Sequence, residues 1–296
     1  MKFASLLFIA AATLGGCAAY QKQPLDLKAA WPEGLSRLEV DPSKMPLPEL
    51  SSRRFDPGDG LDMTEVAMIA VANNPGLKLA RDDAGIKNAQ AFAARLLPDP
   101  QLSFSPQFPQ NGIPGENITA FDLGLSYNLG AIMTRSLRMA AAEKERRKAD
   151  LALLWQEWQV VGQSRLLFAR MVSRRNLLGI LEESRAVAAT RLDREKDALG
   201  RKDVTLNVVA MDENTLQQID KQINETMRLL EKNRYALNDL LGLAPNTRLN
   251  LVGNANIPIL DKSEIENRLS VIARIRPDLM ALQARYKAQD LRLRQA

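Results

Sequence analysis

The sequence predicts a mainly α-helical protein with one β-hairpin, dominated by a long antiparallel coiled-coil hairpin of two helices. Residues 134–199 contain no proline and only two glycines, and their apolar side chains recur at steps of three, four and seven residues. A second helical pattern follows over residues 203–241, after a short turn. Before both, residues 101–129 hold two stretches in which apolar and polar residues alternate, as they do in half-buried strands.

The composition argues against an enzyme. The chain of 296 residues has no histidine and one cysteine, so it lacks the commonest general base and metal ligand and cannot form an intrachain disulfide. We therefore expect no catalytic residue, no metal site and no cofactor. The 40 basic and 35 acidic residues are interleaved along helical stretches, which is typical of solvated helix faces. No basic block is dense enough to predict a nucleic-acid partner.

Residues 1–16 have the pattern of an export signal. Lys2 precedes an apolar run over residues 6–14, which is too short to span a bilayer as a helix. Two small residues then lead to Cys17, and this arrangement resembles the bacterial lipobox, in which the cysteine is acylated and becomes the first mature residue. By resemblance to lipoprotein sorting, Ala18 favours the outer membrane. The alternative is an ordinary signal peptide with a cysteine there by chance.

Residues 17–60 are predicted to be an extended, proline-rich tether behind the lipidated cysteine. They contain six prolines and show no sustained helical or strand period. A short helix should follow over residues 61–72, capped by Asp62 or Thr64. Asn73-Asn74-Pro75 ends it, and a second helix should run over residues 75–97. Its small face consists of Leu77, Ala80, Ala84, Ala91 and Ala94.

Two strands are predicted, over residues 101–109 and 121–129, with a turn-rich loop between them. The second alternates strictly for nine residues, which is the length that a tilted strand needs to cross a bilayer. The strands alone leave two interpretations open, a membrane strand pair or a soluble hairpin with one buried face. Pro106 fits poorly inside a sheet. The apolar positions of the second strand are Phe121, Leu123, Leu125, Tyr127 and Leu129.

The turn between the long helices predicts two specific caps. Gly200 can take the left-handed conformation that ends a helix, and Asp203 can cap the helix that follows. Gly242 and Pro245 should end that second helix. Another helix should open at Ser263 and continue to about residue 274.

The start of a second repeat is visible near the end of the chain. Asn-Pro-Gly-Leu at residues 74–77 is similar to Arg-Pro-Asp-Leu at 276–279, and each opens a helix rich in Ala, Arg, Lys and Gln. Residues 61–274 then form a first repeat and residues 275–296 the beginning of a second. Since repeats need partners to bury their faces, we expect the sequence to be a fragment of a longer protein, with a truncated product as the alternative.

The ordered set of these features resembles the outer-membrane factor family, the TolC-like outer-membrane efflux proteins, over residues 61–296. The resemblance implies a TolC-like fold, here its first repeat, with the two strands in a membrane β-barrel and the helices in the periplasm. It implies a homotrimer that forms a passive duct for efflux or type I secretion. The implied partners are a periplasmic adaptor (membrane fusion) protein, an inner-membrane pump of the RND or ABC type, and membrane lipid.

The resemblance also assigns roles to residues. The turn would be the periplasmic tip that contacts the adaptor, and its residues are Gly200, Arg201, Lys202, Asp203 and Val204. The alternative is that this turn is merely solvated. The alternative function is a lipid-anchored periplasmic coiled-coil scaffold, which would explain the tether and the helices but not the alternating strand. The methionines are scattered at helical positions, which favours core packing over metal transport, and the cargo cannot be read.

Overall fold

The structure, a computed structural model, describes residues 40–107, 120–255, 261–269 and 271–295. The mainly helical fold with one strand pair is confirmed. The elements are α1 (Pro48–Ser51), α2 (Met63–Asn73), α3 (Pro75–Ala93), β1 (Gln101–Gln107), β2 (Ala120–Ser126), α4 (Leu129–Met133), α5 (Arg135–Gly200), α6 (Leu206–Leu240), α7 (Lys262–Leu269), α8 (Ile272–Ile275) and α9 (Pro277–Gln295).

Helix α2 is the centre of the core. Asp62 caps it by accepting hydrogen bonds from two backbone N–H groups, and the carboxylate of Glu65 accepts one from the backbone N–H of Asp62, which forms a capping box. Residues 66–71 are all at most 1% exposed, because this stretch is apolar around the whole helix. One side packs on Phe168 of α5 and on Leu237 of α6. A helix that is apolar all round needs cover on its other side too.

That cover comes from residues 40–60, which were predicted to be an extended tether. From residue 40 onward they are packed instead, through α1 and a 3₁₀ turn at Pro42–Lys44. Leu50 is fully buried against Met68 and Val161. Arg165 of α5 also pairs with Glu49 at 2.8 Å. The prolines break regular structure here without preventing the burial of the apolar residues between them.

The break between α2 and α3 is tied to the end of α6. The side-chain amide of Asn73 donates to the carbonyl oxygens of Leu241 (2.6 Å) and Gly242 (3.1 Å), and that of Asn74 donates to Leu240 (2.7 Å). These carbonyls lie at a helix C-terminus and have no partner within the helix. The predicted Asn-Asn-Pro break is thus also a cap for a helix far away in sequence.

Helix α5 organises the remaining elements. Its 66 residues match the predicted bounds within one residue. Along its first third it packs against α3 and α9, and near its far end against α6, which runs antiparallel. Arg81 of α3 reaches Glu157 at 3.0 Å. Three residues of the predicted small face, Leu77, Ala84 and Ala91, are the buried residues of α3, and Ala80 and Ala94 are half-buried. The helix ends at Ala93 rather than near residue 97.

Helix α9 begins where the second repeat was predicted to begin. Arg276 lies over the ring of Trp155, 5.0 Å from its centroid, and pairs with Asp278 at 2.5 Å. Like α3, α9 starts at a proline and packs on α5. The helix predicted from Ser263 is divided instead into α7 and α8. The repeat itself remains a prediction.

Candidate functional site

The strand pair separates apolar from polar side chains by its register. Strands β1 and β2 are antiparallel, and Leu102 lies opposite Leu125, Phe104 opposite Leu123, and Pro106 opposite Phe121. Side chains of directly opposed residues point to the same face, so these six form one continuous apolar face. Pro106 was expected to fit poorly inside a sheet, but it lies within β1. In the two-stranded sheet that the structure describes, β1 is an edge strand, which is where proline is tolerated.

The opposite face is polar or small. It carries Ser103 opposite Gly124, Ser105 opposite Asp122, and Gln101 opposite Ser126. The hydroxyl of Ser103 donates to the carbonyl of Gly124, and a Cβ at Gly124 would lie 2.7 Å from that hydroxyl oxygen. The close approach requires the absence of a side chain at Gly124. The strand pair therefore has one face suited to hydrocarbon and one suited to water.

The apolar face has no cover within the described residues. Its five large side chains, Leu102, Phe104, Phe121, Leu123 and Leu125, are 64–74% exposed. Fully burying one such side chain stabilises by about 1.5–3 kcal/mol, so leaving all five in water costs on the order of 10 kcal/mol. A contiguous exposed apolar patch of this kind marks a surface that meets lipid or another protein.

The second strand is shorter than predicted. Phe121, Leu123 and Leu125 lie in β2, but Tyr127 follows its last residue and Leu129 is the first residue of α4. The reason is Asn128, whose side-chain oxygen accepts a hydrogen bond from the backbone N–H of Ala131 and caps α4. Tyr127 and Leu129 stay exposed (41% and 67%), beside the apolar face in sequence.

The predicted tip residues lie together, with Gly200 at the end of α5 and the other four in the turn that follows, but the caps differ from the prediction. Gly200 is still helical, and the left-handed residue is Lys202, with φ of 67°. The N–H of Asp203 donates to Ala198 and that of Lys202 to Leu199, which is the hydrogen-bond pattern of a Schellman motif. Asp203 does not cap α6. Thr205 is the N-cap, without a side-chain hydrogen bond.

Charged side chains hold this turn and fix the pairing of α5 with α6. Arg201 pairs with Asp203 at 3.0 Å, and both are exposed. Between the helices, Arg185 pairs with Asp220 at 2.5 Å and Arg191 with Asp212 at 2.8 Å. A hydrogen bond to Glu195 and the charge of Asp212 raise the pKa of Arg191. Arg185 and Asp220 are both about half exposed, and Arg191 is exposed while Asp212 is mostly buried, so these pairs set register more than they stabilise.

The remaining predicted site lies elsewhere. Cys17 is outside the described residues, and its acylation stays a prediction. In the described ranges, no group of three or more His, Cys, Asp or Glu side chains is arranged to hold a metal ion. No helix among the described residues is both long and apolar enough to cross a bilayer.

A further cluster was missed by the sequence reasoning. Arg95 follows α3, and Arg135 and Arg138 open α5, so the three arginines lie at the base of the strand pair. The guanidinium of Arg135 donates to the carbonyl of Arg95, and that of Arg138 to Leu96 at 3.4 Å. In the sequence these arginines lie shortly before the first strand and shortly after the second, and that placement could have identified the cluster.

Comparison with known proteins identifies the fold. No family model matches the sequence, and no curated protein matches it. Among solved structures, the chain superposes on the outer-membrane channel OprN with a TM-score of 0.66 at 15% identity, over 93% of this chain and 61% of that one. CusC, studied for transmembrane channel formation, gives 0.64 at 17% identity over 84% and 60%. The outer membrane protein VceC of Vibrio cholerae gives 0.61 at 13% over 77% and 57%.

The chain thus has the fold of these outer-membrane channels, as the sequence resemblance implied. It spans about 60% of the length of the solved channels that it matches. The long helices and the single strand pair agree with one repeat of that fold.

Proposed function

We propose that the protein is part of a passive duct that crosses the outer membrane and extends into the periplasm. The observation that carries the proposal is the two-faced strand pair. Its apolar face is exposed over five large side chains, and its opposite face is polar or small. Membrane strands alternate in this way, with apolar residues toward lipid and polar residues toward the lumen. The fold shared with outer-membrane channels supports the same placement.

One strand pair cannot enclose a pore, so the duct needs further strands. Open strand edges cannot face lipid, and barrel diameter grows with strand number. We propose that they come from a second repeat and from two more copies in a homotrimer. Exposed apolar residues that copies could cover lie along α3 (Leu79, Ile86) and α9 (Leu282, Tyr286).

The helical hairpin points to the partners of the duct. Arg201 and Lys202 are exposed at its end, on a turn that is closed by the hydrogen bonds of a Schellman motif. We propose that this turn meets a periplasmic adaptor, which connects the duct to an inner-membrane pump of the RND or ABC type. Acylated Cys17 would anchor the chain to the outer membrane, since each buried CH₂ contributes about 0.8 kcal/mol. The duct itself would perform no chemistry.

The placement of the strands can be tested with a matched pair of cysteines. Leu123→Cys and Asp122→Cys are neighbours on β2 that point to opposite faces. In outer-membrane vesicles, a charged maleimide should label residue 122 and leave residue 123 unlabelled, whereas a membrane-soluble maleimide should reach residue 123. The parent chain measures any background from Cys17.

Equal labelling of both positions by the charged reagent would place both faces in water. The membrane placement would then be wrong, and the lipid-anchored coiled-coil scaffold would become the better description. Chemical crosslinking of the same vesicles reports the number of copies, and a dimer in place of a trimer would contradict the proposed assembly.

A further inference from the structure

The junction between the strand pair and the helices combines positive charge with apolar surface. We name Arg95, Arg135 and Arg138 the arginine junction. Two short connections meet there, one from α3 to β1 and one from β2 to α5. Large apolar residues on these connections are exposed, namely Leu96 (55%), Leu97 (59%), Leu129 (67%) and Met133 (82%).

The charge of the arginine junction is only partly neutralised. Arg95 pairs with Glu143 at a long 3.5 Å, and Glu143 is held more closely by Arg146 at 2.6 Å. That hydrogen bond from Arg146 is the main reason why the pKa of Glu143 is lowered. In the part of the chain that the structure describes, neither Arg135 nor Arg138 forms an ion pair with a carboxylate.

The guanidinium groups also retain unused donors. The Nε atoms of Arg135 and Arg138 are buried and make no hydrogen bond within the described residues. A buried donor without a partner is costly, so such groups usually have a partner beyond the protein atoms, such as water or an ion. The first turn of α5 adds partial positive charge at the same place, since Thr134 makes no side-chain hydrogen bond that caps it.

A groove of about 740 Å³ is lined by Arg95 and Arg135, whereas Arg138 does not line it. Arg95, Arg135 and Ser136 supply its donors, and Leu97, Ile132 and Met139 its apolar lining. Glu143 also lines it, with its carboxylate engaged by Arg146. A ligand that fits must therefore join an anionic group to a hydrocarbon chain.

We propose that the arginine junction binds the phosphate of an anionic phospholipid, with an acyl chain beside Leu97 and Ile132. Arginine suits this role because its fork of donors matches phosphate oxygens in bidentate fashion. The inference rests on the proposed membrane placement of the strand pair, which sets the junction at the periplasmic edge of the bilayer. A zwitterionic lipid presents the same phosphate, but its ammonium group would meet the uncompensated guanidinium charge.

The test uses the full chain purified in a nonionic detergent. Retention of phosphatidylglycerol, phosphatidylcholine and inorganic phosphate is measured by native mass spectrometry and by titration. An arginine near anionic lipid contributes about fivefold in affinity, so the double variant Arg95→Gln/Arg135→Gln, which changes the two arginines that line the groove, should bind phosphatidylglycerol on the order of 25-fold more weakly. The matched control, Arg170→Gln/Arg194→Gln, removes the same charge from exposed positions on α5 and should bind normally.

The outcomes separate this inference from the proposed function. Equal binding of both lipids, or unchanged binding by the junction variant, overturns the inference and leaves the membrane placement intact. Binding of neither lipid also overturns the inference, while the cysteine labelling of β2 decides the membrane placement separately. Displacement of phosphatidylglycerol by millimolar phosphate would mean a site for free anions rather than for lipid, which also overturns it. Helical circular dichroism must match between the variants, and Arg95→Lys/Arg135→Lys should recover part of the binding.

Discussion

The turn at the hairpin tip contains a conformation that its residue type does not favour. The ends of α5 and α6 have the same Schellman hydrogen bonds, with the left-handed residue at Lys202 in one and at Gly242 in the other. Glycine is the usual residue there because it has no Cβ to clash. Gly242 at the end of α6 therefore serves as an internal control for a substitution of Lys202 at the tip.

Lys202→Gly should stabilise the protein. A left-handed conformation costs a residue with a side chain roughly 1–2 kcal/mol, and the greater freedom of glycine in the unfolded chain returns about 0.4–1 kcal/mol of that. The net gain is about 1 kcal/mol, which for a chain of this size raises the melting temperature by about 2–4 °C. The Lys202 side chain is exposed, so no packing is lost.

Gly242→Ala should destabilise the protein, and by more than Lys202→Gly stabilises it. It incurs the left-handed cost, and its Cβ would also lie 2.7 Å from the carbonyl oxygen of Asn73 and 3.0 Å from the side-chain nitrogen of that residue. That nitrogen makes the hydrogen bonds to Leu241 and Gly242. Together we expect a loss of roughly 3 kcal/mol.

The assay is thermal and urea unfolding followed by helical circular dichroism, with all three proteins in the same detergent. Equal slopes against urea would show that the variants change stability and not the extent of unfolding. A destabilised Lys202→Gly variant, or a neutral Gly242→Ala variant, would refute the reasoning from backbone conformation. Transport that falls while stability rises would identify the strain at Lys202 as part of the contact with a partner.

Three further predictions follow from the described contacts. Leu50→Ala should cost about 2–5 kcal/mol and expose residues 40–60 to protease while α5 stays intact; an unchanged cleavage pattern would contradict the packing of this segment. Asn238→Ala removes an amide that donates to three carbonyl oxygens and should cost about 1–3 kcal/mol in urea, whereas the exposed neighbour Asp239→Ala should be neutral. Arg146 lowers the pKa of Glu143 in the folded protein. The stability that this pair contributes is therefore fully present above the pKa of the unfolded chain, about 4.3, and is lost as the pH falls through the lower pKa of the folded state. Glu143→Gln should flatten the pH dependence of the melting temperature in that range.

Local pattern was enough to predict the long elements. Helix α5 lies between Thr134 and Arg201 because nothing within it breaks a helix, and its apolar positions such as Val161, Phe168 and Leu181 are buried as the periodicity required. The capping role of Asp62 was equally local. Both depend on residues within a few positions of each other, where sequence spacing and spatial distance agree.

Contacts between distant segments were not predictable in this way. The burial of Leu50 depends on α2 being apolar on all sides, which is a property of another segment. The left-handed residue was placed at Gly200 because glycine favours it, but the helix continues through Gly200 and the hydrogen bonds of its last turn put Lys202 there. The alternation over residues 121–129 continues past the strand end, because Asn128 caps a helix that the pattern does not reveal.

The distribution of buried residues along α5 leaves both of its ends with uncovered surface. Of its buried residues, Val161, Ser164, Phe168, Ala169 and Val172 lie in a short central stretch, where α2 and the end of α6 meet it. Toward the tip only Leu181 and Leu192 are buried, since α6 is the neighbour there. The stability of the chain is thus concentrated in the middle, and both ends keep surface uncovered. Because few buried contacts mean a low free energy of local opening, the two ends can rearrange without unfolding the core.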